Sequence, residues 1–237
     1  LLMWMLTKPD VRGVTLIAVG VLAGLATLVK TQMLLLAPLL IFVLSLRCWT
    51  RPAIVQALRQ SVLATAVMVA TISPWTWRNY VQLGAFVPVS TNGGMSLLAG
   101  NNPSMTLDLR TDYNDRGINE LAKFSVTDQV AADQRARAAA WAWIQDNPLT
   151  FLALMPKKFI RFWLPDGESE WNVQMGFTDY EKWKIWFRSV RVANQIYYFA
   201  LLAGFAYGLY QCVRLRDPQT LAVPLAALYF TALSLVF

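Results

Sequence analysis

SVLATAVMVATISPWTWRN (61–79) is the stretch whose reading decides the fold. It is an apolar segment that closes on Pro74, Trp75, Trp77, Arg78 and Asn79. A helix needs about 20 apolar residues to cross a hydrocarbon core of about 30 Å, and this segment reaches that with help from its flanks. Backbone rich in Gly and Asn follows it, first VPVSTNGG (87–94) and then GNNP (100–103). A span ending in Pro, Trp and Arg and opening into such backbone is a poor lipid anchor. It is a suitable rim for a site that binds an anion and a polyhydroxyl group.

Composition places the rest of the chain in a bilayer as well. Hydrophobic residues make up 56%, charged residues 15%, and the mean hydropathy is +0.40. Four further apolar segments are readable, 13–29, 33–46, 193–213 and 221–237, and residues 1–6 read as the tail of an earlier span. One helix over 13–46 would run about 51 Å at 1.5 Å per residue, well beyond a hydrocarbon core. A break at Lys30-Thr31-Gln32 is therefore expected. Leu1 and Phe237 both lie inside apolar runs, so a piece of a longer protein is expected.

Basic residues give an orientation. Lys8, Arg12, Arg47, Arg51, Arg59, Arg214 and Arg216 lie in three short loops, opposed there only by Asp10 and Asp217. Alternating spans put those loops on one side, the cytoplasmic one by the positive-inside rule. The break at Lys30 and the stretch 78–191 then face outward; that stretch holds 13 basic and 12 acidic residues. The net charge of +7 thus comes mostly from the inner loops and carries no nucleic-acid signature. Cys48 and Cys212 sit at inner ends, which excludes a disulfide-stapled exterior. The chain has no histidine, which removes His-based acid–base catalysis and His-ligated zinc from it.

The expected architecture is an all-α membrane protein, a polytopic transmembrane helix bundle with a mostly helical interfacial cap outside the membrane. Residues 1–79 hold the end of one span and three segments, 80–192 the extracytoplasmic region, and 193–237 two more spans. Within the exterior, 80–126 reads as loop and 127–147 as a helix capped by Thr127-Asp128 and stopped at Asn147-Pro148. A second helix covers 149–164, with Pro156 as a kink or late start. A third amphipathic run puts Tyr180, Trp183, Phe187 and Val190 on one face and Lys182, Lys184, Arg188 and Arg191 on the other. Six of ten Trp lie between Trp141 and Trp186, and Trp with basic residues suits interfacial helices.

Candidate site residues each have a bland reading beside a functional one. Lys30 is the only charge between 13 and 46, either a snorkelling lysine or a cation for a lipid phosphate. Arg78 is an interfacial anchor or a fork for phosphate oxygens. Asn92-Gly93-Gly94 and Gly100-Asn101-Asn102-Pro103 are turns, or backbone open to a ligand. Lys157, Lys158 and Arg161 form a solvated or headgroup face, or admit an anionic lipid. The run from Asp112 to Gly117 mimics a calcium loop, but Arg116 and Lys123 stand at ligand positions, so no metal site is expected.

Several phrases together resemble the family 39 glycosyltransferases, GT-C membrane enzymes that use polyprenyl-phosphate-linked sugars. They are LAGLATLVKTQ (22–32), PWTWRN (74–79), VPVSTNGG with GNNP, AWAWIQDNP (140–148) and KFIRFWLP (158–165). The resemblance implies a GT-C fold in the plasma (inner) membrane and sugar transfer on the extracytoplasmic face. The acceptor would be a lipid, glycan or protein; membrane lipids are the other partners, with no nucleic acid. Lys30 and Arg78 would hold the donor phosphate. Asn79, Asn92, Gly93, Gly94, Asn101 and Asn102 would wall the donor and its sugar, and Lys157, Lys158 and Arg161 would meet lipid headgroups. The catalytic carboxylate of such enzymes lies in the first external loop, expected upstream of residue 1, so no catalytic residue is assigned here. No cofactor is identified, and dependence on a divalent metal stays open. A lipid-linked-sugar transporter or flippase, or a non-catalytic carrier-binding membrane protein, is the alternative.

Overall fold

A computed structural model describes residues 13–105, 128–165, 176–215 and 218–237. The expected tail at 1–6, Lys8, Arg12, Arg216, Asp217 and the calcium-like run at 112–117 lie outside the described residues. All regular elements among the described residues are helical. They are α1 (Gly13–Val29), α2 (Met33–Ser45), α3 (Arg51–Leu83), α4 (Gly93–Gly100), α5 (Gln129–Asp146), α6 (Pro148–Trp163) and α7 (Tyr180–Leu215). A 3-10 turn, Pro218–Leu221, then leads into α8 (Ala222–Val236). These residues fall into two compact units, one within Leu1–Lys158 and Asp217–Phe237, the other within Phe159–Arg216.

In the first unit the chain breaks between α1 and α2 at the expected place. Lys30 N–H still donates to Ala26 O, but the Lys30 carbonyl turns to accept from Met33 N at 2.9 Å, closing a tight reversal. Two glycines bring α1 onto α3. A Cβ on Gly20 would stand 2.6 Å from the Ala64 carbonyl oxygen, and one on Gly24 2.6 Å from Thr71 Cβ. Such small-residue contact lets helix backbones approach closely where lipid removes the hydrophobic drive between helices. Leu16, Val19 and Ala23 pack with Ala64, Met68, Ala37 and Ile41 in the buried core, and the Ser61 hydroxyl donates to Pro38 O at 2.9 Å to tie α3 to α2. Gly24→Ala is expected to destabilise the chain by about 1–3 kcal/mol, the range for forcing volume into a filled interface. Gly13→Ala, which meets nothing within 4 Å, is the control in the same thermal unfolding series.

The third segment, expected to begin at Ser61 and close on the PWTWRN phrase, is longer at both ends. Helix α3 runs through Pro74 for 33 residues to Leu83. Proline leaves the carbonyl four residues back without its helical donor. That carbonyl is Ala70 O, and the Ser73 hydroxyl supplies a donor to it at 2.8 Å. The true stop is Gly84, whose φ of +64° is the left-handed conformation of a helix C-cap and whose N–H returns to Tyr80 O. The Gly/Asn-rich stretch is not all loop either, since 93–100 forms α4.

Two helical stretches among the described residues are long and apolar enough to cross a membrane, Arg51–Leu83 and Pro218–Val236. α1 and α2 are apolar but shorter, at 17 and 13 residues. Of the five expected segments, 193–213 lies inside α7, which is not one of those two stretches. α7 also joins what the sequence separated. Its 36 residues continue the amphipathic run at 180–192 straight into the apolar one at 193–213. The change in hydropathy at Ala193 is not a backbone break, because no Pro or Gly falls between Tyr180 and Ala203.

The second unit is built on aromatic contacts. Tyr198 Oη donates to the Trp163 carbonyl at 2.6 Å, and the Trp163 ring lies 5.8 Å from Phe205. Tyr180 and Phe187 stack at 5.8 Å, while Trp183, Ile185 and Trp186 stay exposed.

Candidate functional site

Register brings Lys30 and Arg78 to one end of the first unit. Gly20 faces Ala64 and Val67, and Gly24 faces Met68 and Thr71, so α1 and α3 advance together and run parallel. Six residues beyond Gly24 is Lys30, which stands level with six beyond Met68–Thr71, residues 74–77. Arg78 follows directly. Both side chains are exposed, and neither meets a carboxylate among the described residues. The Arg78 guanidinium lies 5.0 Å from the centre of the Trp75 ring and donates to Asn79 Oδ1 at 3.2 Å. Stacking on an aromatic face holds the planar donor fork in place while leaving edges free for an oxyanion.

The PWTWRN stretch of α3 also grips the segment that returns after Gly84. Trp75 Nε1 donates to Val89 O at 2.9 Å and Thr76 Oγ1 to Pro88 O at 2.8 Å. Asn79, only 3% exposed, donates through Nδ2 to Val87 O and Val89 O. Asn79 is thus a clamp between α3 and 87–89, and its amide is not presented to a ligand. The same helical stretch sets where Ser90, Thr91 and Asn92 emerge. Ser90 and Asn92 are exposed and paired, Oγ to Oδ1, and Thr91 pairs with Gln129 Oε1 at 3.2 Å.

The glycines of Asn92-Gly93-Gly94 begin α4, and the anion at that helix start is the chain's own. Asp133 Oδ1 accepts from Gly94 N at 2.5 Å and Met95 N at 3.3 Å, while its Oδ2 takes Arg137 Nη2 at 2.8 Å. Unsatisfied N–H groups and the helix dipole both favour a carboxylate there. Gly94 is buried against the Asp133 backbone, and Gly93 is half-buried with only Arg137 Nη2 nearby. Of the proposed sugar wall, Asn92 is the amide left exposed.

Asn101 and Asn102 are fully buried and cap the other end of α4. Asn101 Nδ2 donates to Leu97 O at 2.9 Å and to Val236 O at 2.7 Å, at the end of α8. Asn102 Nδ2 donates to Leu98 O and Ala99 O, and its Oδ1 accepts from Ser104 N at 2.9 Å. The GNNP phrase therefore joins α4 to α8, and its amides face backbone.

The basic cluster of α6 is divided. Lys157 is half-buried with no partner among the described residues, and Arg161 lies one turn on, in the second unit. Lys158 turns inward: Nζ donates to Asn101 Oδ1 at 3.1 Å and, more weakly, to Val236 O at 3.5 Å, with the Phe151 ring centre 5.8 Å away. Burial pushes its pKa from 10.5 down to about 8. A lysine so depressed binds fewer protons in the folded state than in the unfolded one between about pH 8 and 10.5. Folding stability from this residue therefore rises with pH across that window and is lowest below it. Thermal unfolding in detergent should give a higher midpoint at about pH 9.5 than at about pH 7.5, and Lys158→Met should flatten that difference.

Asp133 and Lys158 thus define this end of the unit more than the Gly/Asn phrases do. Asp133 carries no sequence signal, since it lies 39 residues from Gly94 in a helix of ordinary composition. Among the described residues no three His, Cys, Asp or Glu side chains gather as a metal centre. No known protein family, curated protein or solved structure matches the chain.

Proposed function

We propose that this chain is part of a polytopic integral-membrane glycosyltransferase that moves a sugar from a polyprenyl-phosphate donor to an acceptor on the extracytoplasmic face. The observation that carries the reading is the common end of Lys30 and Arg78, two exposed cations brought level by the parallel packing of α1 and α3. Lys30 directly follows α1 and Arg78 lies in the last two turns of α3, where a lipid phosphate would sit. Arg78 offers a planar pair of donors for phosphate oxygens, and Lys30 adds a point charge. Together they would hold the leaving phosphate and stabilise the charge it gains as the bond to the anomeric carbon breaks. Ser90, Thr91, Asn92 and Gln129 follow the segment clamped beside Arg78, and their mixed donors and acceptors suit sugar hydroxyls. Two helical stretches able to cross a membrane support the setting. So does the row of exposed Val14, Ile17, Val21 and Leu25 on α1, which water would disfavour and lipid would not.

Binding tests the donor site directly. The protein in detergent should retain polyprenyl monophosphate at least about tenfold more tightly than neutral polyprenol, the value of one charge-assisted hydrogen bond. Equal retention of the two lipids would end the phosphate reading. Binding with no transfer of labelled sugar by the intact membrane protein would leave a carrier-binding protein in place of an enzyme.

A further inference from the structure

Two apolar stripes lead to Lys30 and Arg78, and they adjoin each other. On α1, Ile17, Val21 and Leu25 recur at helical spacing and are exposed. On α3, Leu63, Ala70 and Pro74 do the same, and one turn beyond Pro74 that stripe reaches Arg78. Gly20 and Gly24 hold the helices together between the stripes, against Val67 and Thr71. The stripes are thus the walls of a shallow groove and the glycine contact is its floor. The Thr71 hydroxyl donates to Val67 O at 2.8 Å, so the floor is apolar too. On the opposite side of the same contact, α2 packs Ala37 and Ile41 against Val19, Ala23, Ala64 and Met68. Among the described residues the groove is not filled in this way, since Ile17 and Leu63 stay 55% and 58% exposed. From Leu63 to Pro74 it runs about 17 Å along the axis, more than half of a hydrocarbon core.

The charge at its outer end decides what the groove suits. A polyprenyl phosphate is one molecule, so its chain leaves the phosphate along whatever apolar surface lies beneath. The groove is the surface beneath Arg78. α3 has a second exposed stripe, through Val62, Val69 and Ser73, but that one ends on Tyr80 and meets no cation. We infer that the groove between α1 and α3 is the track for the isoprenoid chain of the lipid donor, laid lengthwise below the two cations. The inference rests on the reading of Lys30 and Arg78 as the phosphate site. Lipid tails are as apolar as the isoprenoid chain, so the groove adds no hydrophobic drive and acts through van der Waals packing alone. The cations supply affinity and the groove supplies direction. Position is therefore the quantity to measure.

The test irradiates the whole protein in phosphatidylcholine vesicles with polyprenyl monophosphate that carries a diazirine on an isoprene unit near the phosphate. Labelled residues are mapped by mass spectrometry. Val62 and Val69, exposed at 59% and 50%, serve as the reference face. Label on Val21, Leu25, Ala70 and Pro74 should exceed the reference about tenfold, a preference of about 1.4 kcal/mol. Added unlabelled polyprenyl monophosphate should remove that excess. Ala70→Phe places a ring over the groove from an exposed position and should bring the label down to the reference, whereas Val69→Phe should leave it unchanged. Equal labelling of both faces overturns the track. So does a groove left unlabelled because another helix fills it, or an undiminished label in Ala70→Phe. The same diazirine on neutral polyprenol separates this inference from the phosphate reading. Weak groove labelling by polyprenol supports both. Groove labelling as strong as with the phosphate keeps the track and ends the phosphate site. Tight retention of the phosphate lipid with even labelling keeps the phosphate site and ends the track.

Discussion

Arg78→Ala should lower sugar transfer from a polyprenyl-phosphate donor about a hundredfold, the scale of losing one preorganised donor to a developing negative charge. The guanidinium stacks on Trp75 and is steadied by Asn79 Oδ1, so it is already positioned before substrate arrives. Its interaction strengthens as the phosphate takes up the electron pair of the breaking bond. The loss should therefore fall mainly on kcat, with a smaller rise in KM. Arg78→Lys should recover part of the activity, because a point charge replaces the fork but loses its second hydrogen bond. Asn101→Ala is the contrasting variant. It removes an amide buried among the ends of α4 and α8, so it should lower the unfolding midpoint while the folded fraction keeps its turnover. Unchanged turnover in Arg78→Ala, measured with labelled donor in reconstituted membranes, would remove Arg78 from the site.

Much of the fold was legible wherever a local rule had no competitor. Lys30-Thr31-Gln32 breaks α1 from α2 because the combined apolar run is too long for one span. Asp128 caps α5 through its own side chain, accepting from Val130 N and Ala131 N. Where a side chain overrides the rule, the reading failed. PWTWRN reads as the close of a span, yet α3 continues through Pro74 to Leu83, and the Ala70 carbonyl that proline leaves without a donor receives the Ser73 hydroxyl. The candidate site residues divide for a related reason. Asn and Gly mark backbone that needs unusual hydrogen bonding, and a sequence does not say whether ligand or chain supplies the partner. For Asn79, Asn101 and Asn102 the chain supplies it, from Val87, Val89, Leu97, Leu98, Ala99 and Val236. Among the described residues no backbone carbonyl takes up Arg78 or Lys30, and both stay exposed. Their common level depends on the register of α1 against α3, which two glycines set and hydropathy alone does not reveal.

The start of α4 carries the second large effect. Asp133→Ala should destabilise the chain by about 3 kcal/mol, because two N–H groups lose a charged acceptor in a place water barely reaches. Asp133 is 5% exposed, so solvent cannot readily replace it. Asp133→Asn keeps one oxygen for the Gly94 N–H and loses the charge that answers the helix dipole and Arg137, so its cost should be nearer about 1 kcal/mol. Gly94→Ala should rival the alanine variant at Asp133, since its methyl would run into the Asp133 backbone carbonyl and Arg137 Cβ. Relief requires moving α4 off α5, which opens the contact of Leu97 and Leu98 with Ala136 and Ala140. Thermal unfolding of the three variants in one detergent gives the ranking, and donor binding gives the discrimination. If Asp133 only caps α4, Asp133→Asn leaves affinity for polyprenyl monophosphate where it was. Should the Asn92-Gly93-Gly94 amides instead bind the donor phosphate, removing the competing carboxylate charge would tighten that affinity severalfold with little loss of stability. That result would return Gly93 and Gly94 to the donor site and make Asp133 a placeholder for the substrate anion.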